Sequence, residues 1–269
     1  MRRRDFLMLS AAAGIPAPFF GTRASASLPA GEIRKRLIVV SLRGGLDGLS
    51  AVVPHAESAY YRLRPAIAIP RPGEPGGALD LDGHFGLHPA LAPLVPLWRE
   101  RSLAFVHASG LPGATHSHFA ARDAMDAFLR GLSASAEHAG IRLDLIESGG
   151  WDTHAAQGGT EGYLAARLRE LGQGLAALRA GLGTAYAQTL ILVMSEFGRS
   201  AGENVMGGTD HGHGNALWML GGSVEGGKLH GEWPGLGGAA LHDGHALAAP
   251  NDIRGVIAAA LARLADTVV

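Results

Sequence analysis

Thr189-Leu-Ile-Leu-Val-Met194, followed by Ser195-Glu196-Phe197-Gly198-Arg199, is the stretch that decides the fold. A continuous apolar run closed by a polar turn reads as a strand buried on both faces of a sheet. Shortly after it come Glu196, Arg199, Asp210, His211 and His213. Ligands collect at the carboxyl ends of strands in open parallel sheets, so chemistry is expected here.

A second continuous apolar run and one further strand-like segment close in the same kind of turn. Leu37-Ile-Val-Val-Ser-Leu42 ends in Arg43-Gly-Gly-Leu-Asp47-Gly48, where glycines allow a sharp turn that presents Asp47 at the sheet edge. Taken alone, Asp47 reads equally as a turn aspartate bonding its own backbone. Ile141 to Ser148 ends in Gly149-Gly150-Trp151-Asp152-Thr153-His154, an irregular turn in which Asp152 and His154 can converge on one cation.

Between these runs, residues 54–86 read as an excursion with at most a hairpin. Leu87-His88-Pro89 then opens a short helix with Leu91, Leu94, Val95 and Trp98 on one face, and Leu103–His107 is the next strand. Repeated β–α–β order predicts a mostly parallel sheet with helices on its faces, an α/β three-layer sandwich. Thr115-His116-Ser117-His118-Phe119 leads into a helix expected through Phe128. Ser117 serves either as its N-cap or as a hydroxyl where backbone N–H groups favour an anion. His116 and His118 read as partner groups or as exposed loop histidines.

Gly131 to Gly140 reads as a short connection of small residues. The stripe Leu164, Leu168, Leu171, Leu175, Leu178, Leu182 predicts a core-packing helix. Ala216–Leu220 is another strand, and a last helix is expected with Asn251 as N-cap, burying Ile253, Val256, Ile257, Ala260, Leu261 and Leu264. His242 and His245, in the loop before it, receive no role.

Composition limits the partners. The net charge is −1, lysine occurs only at 35 and 228, and the body carries no basic run, so nucleic acid is not expected as a partner. Cysteine is absent, which excludes disulfides and thiolate ligands; any metal must be held by oxygen and imidazole. Residues 1–26 read as an export signal: a basic start, a mostly apolar run from Phe6 to Phe20, and a small-residue cleavage site at Ala24-Ser25-Ala26. Gly14, Pro16 and Pro18 interrupt that run, and no stable membrane span is expected once the signal is removed. Arg3-Arg4-Asp5-Phe6-Leu7 resembles a twin-arginine signal, which implies export of a folded protein to the periplasm. Residues 27–269 then form a single α/β domain.

Hard oxygen ligands mixed with imidazoles suit a divalent metal, Zn first, with Mn, Mg or Ca as alternatives. The Arg-Gly-Gly-Leu-Asp-Gly, Ser-His-Phe, Gly-Gly-Trp-Asp-Thr-His, Ser-Glu-Phe-Gly-Arg and Gly-Thr-Asp-His-Gly motifs, in that order, resemble the bacterial family of unknown function numbered 1501. That family is similar to the alkaline phosphatase and sulfatase superfamily. The resemblance implies an alkaline phosphatase-like fold and a hydrolase of a small anionic phosphate or sulfate ester. It implies Ser117 at the nucleophile position and Arg199 against an oxyanion. Asp47, Asp152, His154, Glu196, His211 and His213 would be metal ligands. The sequence departs from the family in two ways: it is shortened around 130–140, and Glu196-Phe197 stands where the superfamily has an Asp-His pair. Both departures favour the other reading, a non-catalytic exported metal- or ligand-binding protein on the same scaffold.

Overall fold

A computed structural model describes residues 21–23, 35–112 and 118–267, with side chains for 35–112 and 120–267. Its centre is a sheet whose strands are Gly21–Arg23 (β1), Arg36–Leu42 (β2), Leu103–Gly110, Arg142–Ser148, Thr189–Met194, Asn215–Gly221 and Lys228–His230, with Asn251–Asp252 alongside. Short strands at Val52–Val53 (β3), Leu79–Asp80 (β4) and Gly86–Leu87 (β5) form a small sheet of their own. The central strands therefore continue as β6 (103–110), β7 (142–148), β8 (189–194), β9 (215–221) and β10 (228–230). Their spatial order is β1-β7-β2-β8-β9-β6-β10.

β7, β2, β8, β6 and β10 run in one direction, so the sheet is mostly parallel, as expected. β9 is the exception among the long strands: it lies antiparallel to both β8 and β6. This reversal matters for function. The start of β9, and so the 207–214 loop before it, lies at the edge where the parallel strands end.

Alternation along the buried strands splits the core into two layers. Ile38, Val40, Phe105, Ile191, Val193 and Trp218 face the leucine-stripe helix Tyr163–Leu182 and the Pro89–Arg99 helical segment. Leu37, Val39, Val106, Leu190, Leu192 and Met219 face the helices His118–His138 and Ile253–Asp266. Leu164, Leu168, Leu171, Leu175 and Leu178 are all buried, as their spacing predicts. No helix among the described residues is long and apolar enough to cross a membrane.

Three local expectations are corrected. Residues 131–138 continue a helix instead of forming a connection, because Leu129, Leu132 and Ala136 fall at helical spacing on its buried face. Gly140, at φ +67°, follows the end of that helix. The cap of the last helix is Asp252, which accepts the Arg254 N–H; the Asn251 side chain instead ties His107, Ala108 and Glu232 carbonyls together. Residues 54–86 hold a helix, Ser58–Leu63, besides the hairpin allowed there, in which β4 pairs antiparallel with β5.

Candidate metal centre

Three of the sequence-predicted residues meet at one point. Asp152 Oδ1 lies 3.1 Å from His154 Nε2 and 3.2 Å from His211 Nε2, and the two imidazole nitrogens are 3.0 Å apart. Metal–ligand bonds of about 2.0–2.2 Å place neighbouring ligand atoms of a tetrahedral or octahedral site about 3.0–3.5 Å apart. The observed spacing fits that requirement.

The chemistry of the donors fits too. His154 Nδ1 faces Asp210 Oδ1 at 3.2 Å, and an ionised carboxylate only accepts, so the ring proton belongs on Nδ1. With the ring proton on Nδ1, His154 Nε2 is an acceptor that faces Asp152 Oδ1 and His211 Nε2, and either a proton on His211 Nε2 or a cation at that point satisfies the three atoms. The carboxylate–histidine arrangement is the usual support of a metal-binding imidazole. Asn204 in turn donates to Asp210 Oδ1 at 3.0 Å.

Electrostatics favour the ionised carboxylates of Asp152 and Asp210 and the neutral ring of His211. Burial pushes the Asp152 carboxyl up, but hydrogen bonds from Arg199 and His211 outweigh it and hold it below the ordinary range. The hydrogen bond from Asn204 does the same for Asp210, helped by His154. Burial lowers His211, with Arg199 adding to the shift and Asp152 opposing it, so the ring is neutral near pH 7. Carboxylate and neutral imidazole are the forms that bind metal. The Asp152 and His154 side chains are 42% and 46% exposed, which leaves one side of the point open to solvent.

Backbone geometry brings these loops together. Gly44, at φ +113°, lets the turn after β2 pass against the Asp152 backbone; a Cβ there would lie 2.7 Å from Asp152 N. Gly208 does the same for the other loop, where a Cβ would meet Thr153 O at 2.5 Å.

The other candidates lie elsewhere. Asp47 is buried in a two-pronged ion pair with Arg64, at 2.7 and 3.0 Å, and also accepts from Ser50 and Gln157. Burial would raise its pKa, but Arg64 and these donors lower it overall. Glu196 is buried and accepts from the Gly44 N–H at 3.0 Å. His213 stacks on His242 with ring centres 4.4 Å apart. Among the described residues, Asp152, His154 and His211 are the group with metal-ligand spacing.

Arg199 is buried with its guanidinium enclosed: it donates to the carbonyls of Gly44, Gly45, Trp151 and Thr209 and to Asp152 Oδ1. Its contacts orient Asp152 and join three loops. Ser117 lies outside the described residues, as does His116, and the side chain of His118 is likewise not described. Sequence reasoning missed Arg64, Gln157, Thr153, Thr209 and Asn204. None of these carried a local signal in the sequence.

Residues 132–253 match the profile of a family described as "Protein of unknown function (DUF1501)". The matched segment contains the Asp152/His154/His211 group and three of the five quoted motifs, which supports the resemblance to that family over this part of the chain. Comparisons with curated proteins and with solved structures gave no match.

Proposed function

We propose that this protein is an exported metal-dependent hydrolase of a phosphate or sulfate ester, built on an alkaline phosphatase-like scaffold. The observation that carries the reading is the convergence of Asp152 Oδ1, His154 Nε2 and His211 Nε2 at the solvent-open carboxyl edge of the sheet. Catalytic metal sites commonly take three protein ligands and keep a further position open, whereas structural sites close with four. Two imidazoles and one carboxylate favour Zn, with Mn, Mg or Ca behind it.

When bound, such a metal lowers the pKa of a coordinated water and polarises an ester oxygen. The residues of the chain do the rest. Asp152, His154 and His211 bind, Asp210 holds the Nδ1 proton of His154, and Arg199 fixes the Asp152 carboxylate. Ser117 is retained as the candidate nucleophile. Export by the twin-arginine route rests on Arg3-Arg4-Asp5-Phe6-Leu7.

A second reading, a metal-binding protein without turnover, is favoured by one observation. Asp47 and Arg199, expected as a metal ligand and as a group against an oxyanion, are held in buried structural contacts. Purified protein loaded with Zn²⁺ or Mn²⁺ and offered aryl phosphate and aryl sulfate esters separates the two. Metal-dependent turnover that disappears in Asp152→Ala supports the hydrolase. Stoichiometric metal with no turnover supports the binder, and no metal uptake overturns both.

A further inference from the structure

A buried amide links the two loops that carry the metal group. Gln157 is fully buried, and its Nε2 donates to Asp47 Oδ2 at 2.7 Å. Because the Asp47 carboxylate only accepts, the amide nitrogen must face it and Oε1 must face the other way. There Oε1 accepts two hydroxyls, Thr153 Oγ1 at 2.7 Å and Thr209 Oγ1 at 2.8 Å. Thr153 sits between Asp152 and His154; Thr209 directly precedes Asp210 and His211. Both threonines are buried while the neighbouring site side chains point outward.

The loops also pair through backbone bonds from Ala156, Gln157 and Thr209 to Met206, Gly207 and Thr153. These bonds fix the loops to each other. The Gln157 side chain adds something they do not: it ties both loops to Asp47 and Arg64, and through them to the turn after β2 and to the carbonyls of Ser200 and Ala201.

We propose that Gln157 is a positioning residue that sets the spacing between the Asp152/His154 and Asp210/His211 segments. It uses the buried Asp47–Arg64 pair as its anchor. The proposal rests on the metal-site reading above. Gln157 touches neither the ligand atoms nor the solvent-open side, so its effect must pass through Thr153 and Thr209. Supporting groups around metal ligands typically change affinity by about 10–100-fold when removed.

The test is Zn²⁺ affinity, measured by competition with a chelator, in wild type, Gln157→Leu, and the pairs Thr153→Val/Thr209→Val and Thr153→Ser/Thr209→Ser. Valine keeps the threonine shape without its hydroxyl; serine keeps the hydroxyl without the methyl. A hydroxyl–amide clamp predicts affinity weakened about 10-fold or more in the leucine and valine variants and near wild type in the serine pair. Serine weaker than valine, or Gln157→Leu within twofold of wild type, overturns the proposal.

Amide hydrogen exchange at Thr209, whose N–H bonds Thr153 O, reads the clamp with no metal present. If wild type binds no Zn²⁺, the metal-site reading fails. Loss of Thr209 protection in Gln157→Leu alone then still supports the clamp, and unchanged protection overturns it.

Discussion

Asp47 and Asp152 follow the same pattern in sequence, a parallel strand followed by two glycines and then an aspartate, yet they meet opposite fates. Asp47 is 1% exposed and enclosed by Arg64, Ser50 and Gln157, all donating to its carboxylate. Asp152 is 42% exposed and faces two imidazoles. A glycine-carboxylate turn therefore delivers a carboxylate to the sheet edge, but the partner arriving from elsewhere decides its role. For Asp47 the partner is a permanent cation on a helix-ending turn at residue 64. For Asp152 it is a pair of imidazoles with metal-ligand spacing, with Arg199 steadying the other side.

The largest effect should come from breaking the Asp47 side. Arg64→Met leaves a buried carboxylate without its cation, which typically costs about 3–5 kcal/mol. Urea denaturation at neutral pH should show a loss of that order, and a loss under about 1 kcal/mol would mean that Asp47 is not electrostatically anchored. The same pair sets an acid limit. The folded pKa of Asp47 lies below its unfolded value of about 3.9, so its contribution is complete above about pH 4. It is lost as pH falls through the folded pKa, because the protonated acid no longer balances Arg64. The acid limb of the stability curve should flatten in Asp47→Asn, which has no such proton to take up.

Next comes the metal side. Zn²⁺ at a hundredfold over its dissociation constant should raise wild-type stability by about 2.7 kcal/mol. The Asp152→Ala/His211→Ala double variant should show no shift in the same thermal melt. An equal shift in both would place the binding elsewhere. A smaller change is expected from the supporting carboxylate: Asp210→Ala should weaken Zn²⁺ affinity by about 10–100-fold without abolishing it. Complete loss in a chelator competition would instead make Asp210 a ligand.

The contrast also explains how much was legible in advance. The strands, the leucine-stripe helix and the edge where the group gathers all follow from local periodicity, which the chain carries residue by residue. Asp152, His154 and His211 were readable because polar residues crowd into short turns after apolar runs. Arg64 was not, since nothing in residues 54–86 marks one arginine as destined for a buried carboxylate. Gln157 was hidden for the same reason: its two threonine partners come from segments far apart in sequence. The reversal of β9 was equally unreadable, because a strand buried on both faces shows the same apolar run whichever way it points. Long-range pairing, not composition, sorted the carboxylates.

The smallest expected effect is the one that separates the two turns most cleanly. Asp152→Ala removes a contact to Arg199 at 2.5 Å, and by distance alone this matches the Asp47–Arg64 pair. The two differ in solvent. Asp152 is 42% exposed, so water screens its charge even though Arg199 is buried, and the pair is expected nearer the roughly 0–1 kcal/mol of surface pairs than a fully enclosed one. Arg199 also keeps four carbonyl acceptors after the carboxylate is gone, whereas Arg64 keeps fewer partners without Asp47. Metal-free Asp152→Ala should therefore unfold within about 1 kcal/mol of wild type while failing to bind Zn²⁺. A loss as large as that of Arg64→Met would show that Asp152 is a structural carboxylate like Asp47. The exposed group would then have to be read as a turn that holds the loops, with no demand for a metal.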